Sequence, residues 1–168
     1  MCYSAIAIAN YFIQKGKDEK RLLTNIQLQK MLYFSYAVYY RKTQSSLFTD
    51  PIFAWPYGPV VLSVYQALDC YGNNDTIPHR IRLYNPIEEL YVPMVNPQSE
   101  AIVSHLQNTW DSLKGLEPWK LVELSHAKDG AWYKTVKDNG YDPEADDLIA
   151  KLPRNLIIKD KDIYGCGR

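Results

Sequence analysis

Hydrophobic and polar residues alternate at helical spacing close to the start of the chain. Ile6, Ala9 and Ile13 recur at intervals of three and four residues, which places them on one face of a helix. The spacing predicts a first helix over residues 4–15. Gly16 follows at once, and a glycine after the last periodic residue is a common stop signal, so we expect this helix to end there.

A second helical pattern begins at Thr24-Asn25-Ile26-Gln27. This order fits a capping box, in which the threonine hydroxyl and the glutamine side chain each accept a hydrogen bond from a backbone N–H of the other residue. It predicts a helix over residues 25–42. Further aromatic residues occupy the other faces, so we expect this helix to be buried on more than one side. The residues that form its main stripe are Leu28, Met31, Leu32, Ser35 and Tyr39.

Prolines 51, 56 and 59 break the periodicity of the next segment. The apolar run IFAW at 52–55 predicts a short extended segment that enters a turn at Tyr57-Gly58. Pro59 suits the first position of a third helix, where its missing N–H costs nothing. Val61, Val64 and Leu68 would line one face of that helix, and Gly72 would end it.

The second half of the chain alternates between helical and extended patterns. Residues 80–84 alternate polar and apolar side chains and predict a strand that pairs with residues 90–92 in a small hairpin. Helical signals then return, and regular structure is expected to fade after Pro153. The whole chain, 1–168, is predicted to be one mainly α, compact helical domain with a minor β hairpin. The later helical predictions are a helix from Ser99 to just before Gly115, one over 118–126, a short one over 131–136 and one from Asp142 to about 152.

Composition supports a single soluble domain and excludes several classes of protein. The 168 residues are 46% hydrophobic and 23% charged, which is typical of a globular protein. Nineteen basic residues balance nineteen acidic ones, so no overall positive field attracts nucleic acid, and such a partner is not expected. The longest apolar run is far below the ~20 residues that span a bilayer. The three cysteines form no pair or cluster, so a cytoplasmic protein with reduced thiols is expected.

Candidate chemistry is sparse. Ser125, His126 and Asp129 are the residue types of a nucleophilic triad, but no G-x-S-x-G turn surrounds the serine. The acidic run at 142–147 lacks the glycine and glutamate of a calcium-binding loop. The histidines lack metal-ligand spacing, and no glycine-rich phosphate loop occurs. We therefore expect no catalytic residue, metal or cofactor, and an enzyme that uses His126 with Ser125 stays the alternative.

Aromatic residues are unusually frequent, with 14 Tyr and 4 Trp. Tyrosine and tryptophan dominate the binding energy at many protein interfaces, so their abundance favours a surface for a macromolecular partner. A tyrosine-lined core would explain the same composition. The sequence leaves these two interpretations open.

Three blocks of sequence, taken together, resemble the Panacea domain of SocA-like antitoxins, a phage-associated family. The blocks are LLTNIQLQKMLYF at 22–34, FAWPYGPVV at 53–61 followed by Val64-Tyr65, and LSH at 124–126 followed by Ala131-Trp132. They are similar to that family's three motifs, although Ala131 stands where the family usually has proline. The resemblance covers about residues 3–136 and leaves 137–168 as a variable segment.

The resemblance implies an antitoxin that neutralises a cognate protein toxin by direct binding in the cytoplasm. The family's toxins include alarmone-synthetase-like enzymes that block translation. The alternative implied by one relative is a proteolytic adaptor that delivers the toxin to a ClpXP-type protease, so a protease or chaperone is a further candidate partner. The oligomeric state is not predicted.

The same blocks supply the candidate partner-binding residues. Trp55 and Tyr65 could equally belong to the core, and Lys30 could pair internally with an acid such as Glu123. Contacts could also lie in the variable segments around 41–50, 85–98 and 137–168. The candidates are Lys30, Tyr33, Trp55, Tyr57, Gly58, Pro59, Tyr65, His126 and Trp132.

Overall fold

The longest helix of the described residues, α2 (Asn25–Thr43), lies at the centre of the fold, and other helices and strand β2 (Gly58–Val61) pack around it. The computed structural model describes residues 3–72, 75–142 and 150–157. The helices are α1 Ala5–Asp18, α2 Asn25–Thr43, α3 Leu62–Ala67, α4 Glu100–Leu113, α5 Pro118–Ser125, α6 Ala131–Asp138 and α7 Arg154–Ile157. The strands are β1 Ile52–Trp55, β2 Gly58–Val61, β3 Arg82–Asn85, β4 Leu90–Pro93 and β5 Ala150–Lys151. The fold is mainly α, as predicted.

Side-chain caps fix where the first two helices begin. The Ser4 hydroxyl accepts a hydrogen bond from the backbone N–H of Ala7 at 3.2 Å. Thr24 and Gln27 form both bonds of the predicted capping box, at 3.2 and 3.0 Å. Both starts are therefore confirmed, and each rests on contacts between residues three positions apart.

Gly16 does not end α1, and that prediction is wrong. The helix continues to Asp18. A Cβ atom at Gly16 would lie 2.7 Å from the carbonyl oxygen of Arg21, and the backbone N–H of Arg21 donates a hydrogen bond to the carbonyl oxygen of Gly16. The glycine thus allows the returning chain to approach the helix closely, a use of glycine that local periodicity does not reveal.

The prediction that Pro59 opens the third helix is also wrong. Pro59 lies in β2, opposite Ala54 of β1, and α3 begins only at Leu62. Strand β2 lies at the edge of the sheet, whose order is β2-β1-β5. Proline is tolerated in an edge strand because its nitrogen, which has no hydrogen to donate, can face away from the neighbouring strand. Helix α3 ends at Ala67, so Gly72 does not cap it.

The hairpin of β3 and β4 is confirmed, with Tyr84 opposite Tyr91. The predicted starts at Ser99 and Pro118 match α4 and α5, and α6 covers the predicted turn at 131–136. The helix predicted from Asp142 to about 152 lies largely outside the described residues. Where the chain is described again, Ala150–Lys151 is a strand paired with β1, so the end of the predicted helix is wrong. Helix α7 follows Pro153, so the prediction that regular structure fades there is wrong as well.

The core lies between α2 and the elements that surround it. It contains the largest fully buried side chains of the described chain. Asn10 is buried too, and its side-chain amide makes two hydrogen bonds to the backbone of Ile81, at 2.9 and 2.7 Å. These bonds attach the segment before β3 to α1. No helix in the described ranges is both long and apolar enough to cross a membrane.

Candidate functional site

The loop between β1 and β2 presses its backbone against α2 and α5. Trp55 and Gly58 are paired across the hairpin, with Pro56 and Tyr57 between them. Gly58 has a backbone φ of +95°, a conformation that residues with a Cβ atom rarely adopt. A Cβ there would also lie 2.4 Å from the Ser125 hydroxyl oxygen and 2.9 Å from Lys30 Cε. Glycine is thus required both by conformation and by space.

Two neighbouring side chains of α2 hold strand β2. The Lys30 ammonium donates a hydrogen bond to the carbonyl oxygen of Pro59 at 3.0 Å. The Gln29 side-chain oxygen accepts one from the backbone N–H of Val61 at 2.8 Å. Both side chains are almost completely buried. The helix therefore supplies polar partners to a strand that has no second strand on that side.

Lys30 is 1% exposed and forms no ion pair with a carboxylate among the described residues. Glu123, the predicted internal partner, instead pairs with Lys120 at 2.8 Å on the surface, so that prediction is wrong. Burial disfavours the charged form and lowers the pKa of Lys30 from 10.5 to about 7.

His126 and Trp132 stack face to face beneath the same loop. Their ring centroids lie 3.7 Å apart with an interplanar angle of 11°. The Trp132 indole N–H donates to the carbonyl oxygen of Trp55 at 2.9 Å, so the stack is fixed to the end of β1. Burial, with a smaller contribution from the charge of Lys30, lowers the pKa of His126 from 6.5 to about 4, and the ring is neutral at physiological pH.

Ser125 has a structural contact that the sequence did not reveal. Its hydroxyl donates to the carbonyl oxygen of Val122 in the same helix at 2.7 Å. The serine proton is therefore directed at the backbone rather than at the neighbouring imidazole, and this arrangement fixes the oxygen against Gly58.

Two aromatic pairs flank the loop. Trp55 and Tyr65 meet edge to face with centroids 4.8 Å apart, and both are partly buried. Tyr57 and Trp119 also meet edge to face, at 5.6 Å, but are 48% and 56% exposed. Sequence reasoning missed Trp119, although an exposed aromatic residue directly after Pro118 at a helix start was a usable signal.

Eight of the nine predicted site residues lie in the loop, in its buried base or beside it, and the ninth, Tyr33, lies in the core. Tyr57 is exposed, whereas Trp55, Tyr65 and His126 are partly buried. The others near the loop form its buried base: Lys30, Gly58, Pro59 and Trp132. Tyr33 is 1% exposed and packs against Phe34 in the core.

These features define a mainly helical domain in which a two-residue loop, Pro56-Tyr57, is fixed against the central helix by buried hydrogen bonds on both sides. The chain belongs to the family described as "Antitoxin SocA-like, Panacea domain", which matches residues 28–133, and the predicted resemblance is confirmed. The chain is similar to Antitoxin SocA of Caulobacter vibrioides (strain NA1000 / CB15N). The two are 26% identical over 128 residues, which are 76% of this chain and 68% of that protein. No solved structure matches the chain significantly.

Proposed function

We propose that this chain is an antitoxin that neutralises a cognate protein toxin in the cytoplasm by direct binding. Membership of the antitoxin SocA-like family and the similarity to a protein named Antitoxin SocA support the antitoxin role. The observation that carries the binding mode is the exposed Tyr57–Trp119 pair, which stands on a buried and hydrogen-bonded base.

Rigidity makes this pair suited to binding. Tyr57 belongs to a two-residue connection that is anchored on one side by Trp132 at Trp55 and on the other by Lys30 at Pro59. A side chain that is already ordered loses little entropy when a partner covers it. Tryptophan and tyrosine are also the residues most enriched among those that dominate binding energy.

The buried candidates have a positioning role in this proposal. Lys30, Pro59 and Trp132 hold the loop from beneath, and Gly58 permits its close approach to α5. Tyr33 lies in the core, where it supports the fold. The toxin contacts Tyr57 and Trp119, and the partly buried Trp55–Tyr65 pair borders that contact.

The test is co-expression of this chain with the product of its neighbouring gene. Growth rescue together with a stoichiometric complex that survives purification supports direct neutralisation. Rescue without a stable complex, lost when the cell's ClpXP-type protease is removed, would replace direct inhibition by the adaptor mechanism. Toxicity of the neighbour with no rescue would contradict the antitoxin role.

A further inference from the structure

A cavity of about 230 Å³ lies between the N-terminal half of α2 and the β1–β2 loop. We propose that it is a binding site for a carboxylate group, with Lys30 as the cation that receives it. The residues that line the cavity are Asn25, Ile26, Gln29, Lys30, Trp55, Pro56, Tyr57, Val60 and Tyr65.

The polar groups of this wall have unused hydrogen-bonding capacity. The Gln29 side-chain nitrogen and the Trp55 indole nitrogen are buried donors with no partner, and the Asn25 side-chain oxygen is a buried acceptor with none. Lys30 uses one of its three donors, on Pro59. Buried polar groups are rarely left unpaired, so a ligand group or an ordered water that reaches them would complete their hydrogen bonds. Donors outnumber acceptors here, so an acceptor-rich group fits best.

Charge selects an anion among acceptor-rich groups, and the apolar walls favour a carboxylate on an aliphatic stem. Lys30 has no anionic partner in the described part of the chain, although Asn25, Gln29 and Lys30 are each at most 3% exposed. A buried cation without a counter-ion is strongly disfavoured, and an anion in the adjoining cavity would relieve that cost. The lowered pKa of Lys30 agrees with a buried ammonium group that has no counter-ion.

Size and the remaining walls restrict what carries the carboxylate. Ile26, Pro56 and Val60 contribute apolar surface, which suits a short aliphatic stem. The volume is below the roughly 300–1,000 Å³ of sites for drug-sized ligands, so the cavity encloses only a small group, such as an acidic side chain or a small carboxylic acid.

Two sources offer this chemistry, a free small acid and an acidic residue of a protein partner. Tyr57 lines the cavity and is 48% exposed, so the cavity reaches the surface beside the proposed toxin contact. Carboxylate binding itself does not depend on the proposed antitoxin function, and the experiment separates the two.

The experiment is an NMR titration of the full chain with sodium propionate at pH 6, monitored at the side-chain signals of Lys30 and Trp55. Propionamide, which has the same shape without the charge, is the ligand control. We expect saturable shifts with propionate and at least tenfold weaker binding of propionamide. Equal binding of the two, or no saturable shift with propionate, would overturn the proposal.

Variants test which groups hold the anion. Lys30→Met keeps the length and apolar stem of the side chain and should weaken propionate binding at least tenfold. Trp55→Phe replaces the indole of the cavity wall by a smaller ring without an N–H donor and should weaken propionate binding about threefold. Lys120→Met, an exposed lysine outside the cavity, is the matched control and should bind as the unaltered chain does. Unchanged binding in both cavity variants would overturn the assignment.

Competition with the toxin identifies the source. Displacement of propionate by the toxin, together with weaker toxin binding in Lys30→Met, assigns the site to an acidic toxin residue. Propionate binding that the toxin does not affect assigns it to a free acid. If the chain binds propionate but fails to rescue growth, the carboxylate site is supported and the antitoxin role is contradicted. If the chain rescues growth but does not bind propionate, the antitoxin role is supported and the carboxylate site is contradicted.

Discussion

The Lys30 ammonium lies 3.0 Å from the carbonyl oxygen of Pro59 and, within the described residues, has no carboxylate as a counter-ion. A strand carbonyl is a weak substitute for an anion, because it carries only a partial charge. The fold therefore tolerates a desolvated lysine at the point where α2 meets the loop, and its pKa falls from 10.5 to about 7.

This pKa makes stability depend on pH in a defined direction. Between about pH 7 and 10.5 the unfolded chain binds a proton on Lys30 that the folded chain does not, so the free energy of unfolding rises with pH. The unaltered chain should gain up to about 1.4 kcal/mol per pH unit relative to Lys30→Met, and the difference should be constant below about pH 7. Urea denaturation at several pH values measures it. Parallel curves for the two proteins would contradict the burial of a titrating lysine.

His126 gives stability the same direction of pH dependence in a lower range. Its pKa of about 4, against 6.5, means that the unfolded chain takes up a proton first as the pH falls. Relative to His126→Phe, which retains a ring to stack on Trp132, the unaltered chain should lose about 1 kcal/mol per pH unit between pH 6.5 and 4. Denaturation over that range measures the loss. In a Lys30→Met background the loss should shrink, because the repelling charge is absent; an unchanged loss would show that Lys30 does not act on this histidine.

Gly58→Ala should destabilise the fold by more than about 2 kcal/mol, because it combines an unfavourable φ with a steric clash against Ser125 and Lys30. Gly140→Ala is the matched control, since Gly140 has φ +72° but nothing within 4 Å of an added Cβ, and its cost should be about 1 kcal/mol. Thermal denaturation compares the two variants.

A double-mutant cycle separates the clash from the backbone strain. Ser125→Ala removes the hydroxyl oxygen that lies 2.4 Å from the added Cβ, so Gly58→Ala should cost less in that background. Equal costs in both backgrounds, or equal costs for Gly58→Ala and Gly140→Ala, would mean that space beneath the loop is not limiting.

Tyr57→Ala and Trp119→Ala should each weaken toxin binding at least tenfold while leaving the fold intact, because both rings are exposed and their loss opens no core cavity. Tyr84 and Tyr91 form the matched control, an exposed ring pair at 5.4 Å on the β3–β4 hairpin. Their replacement by alanine should change affinity less than twofold. Calorimetry with the purified toxin measures all four variants, and the opposite pattern would move the interface to the hairpin.

Local signals predicted much of the fold. The capping box at Thr24 and the helical spacing in α1, α2 and α4 depend on residues three or four positions apart, so they can be recognised without knowledge of the rest of the chain. The predictions failed at Gly16 and Pro59. Gly16, which usually would mark a helix end, instead allows the chain at Arg21 to approach closely, and Pro59, which usually would mark a helix start, pairs with Ala54 in a strand.

The sequence by itself determined the main helices, the β3–β4 hairpin and the motifs that identify the family. Tertiary structure alone decided that Lys30 lies buried beside a strand carbonyl, that Trp119 meets Tyr57, and that three residues with an unpaired polar atom line the same cavity. The physical reason is that helix formation depends on neighbours along the chain, whereas burial, charge pairing and cavity shape depend on residues that folding brings together from distant positions.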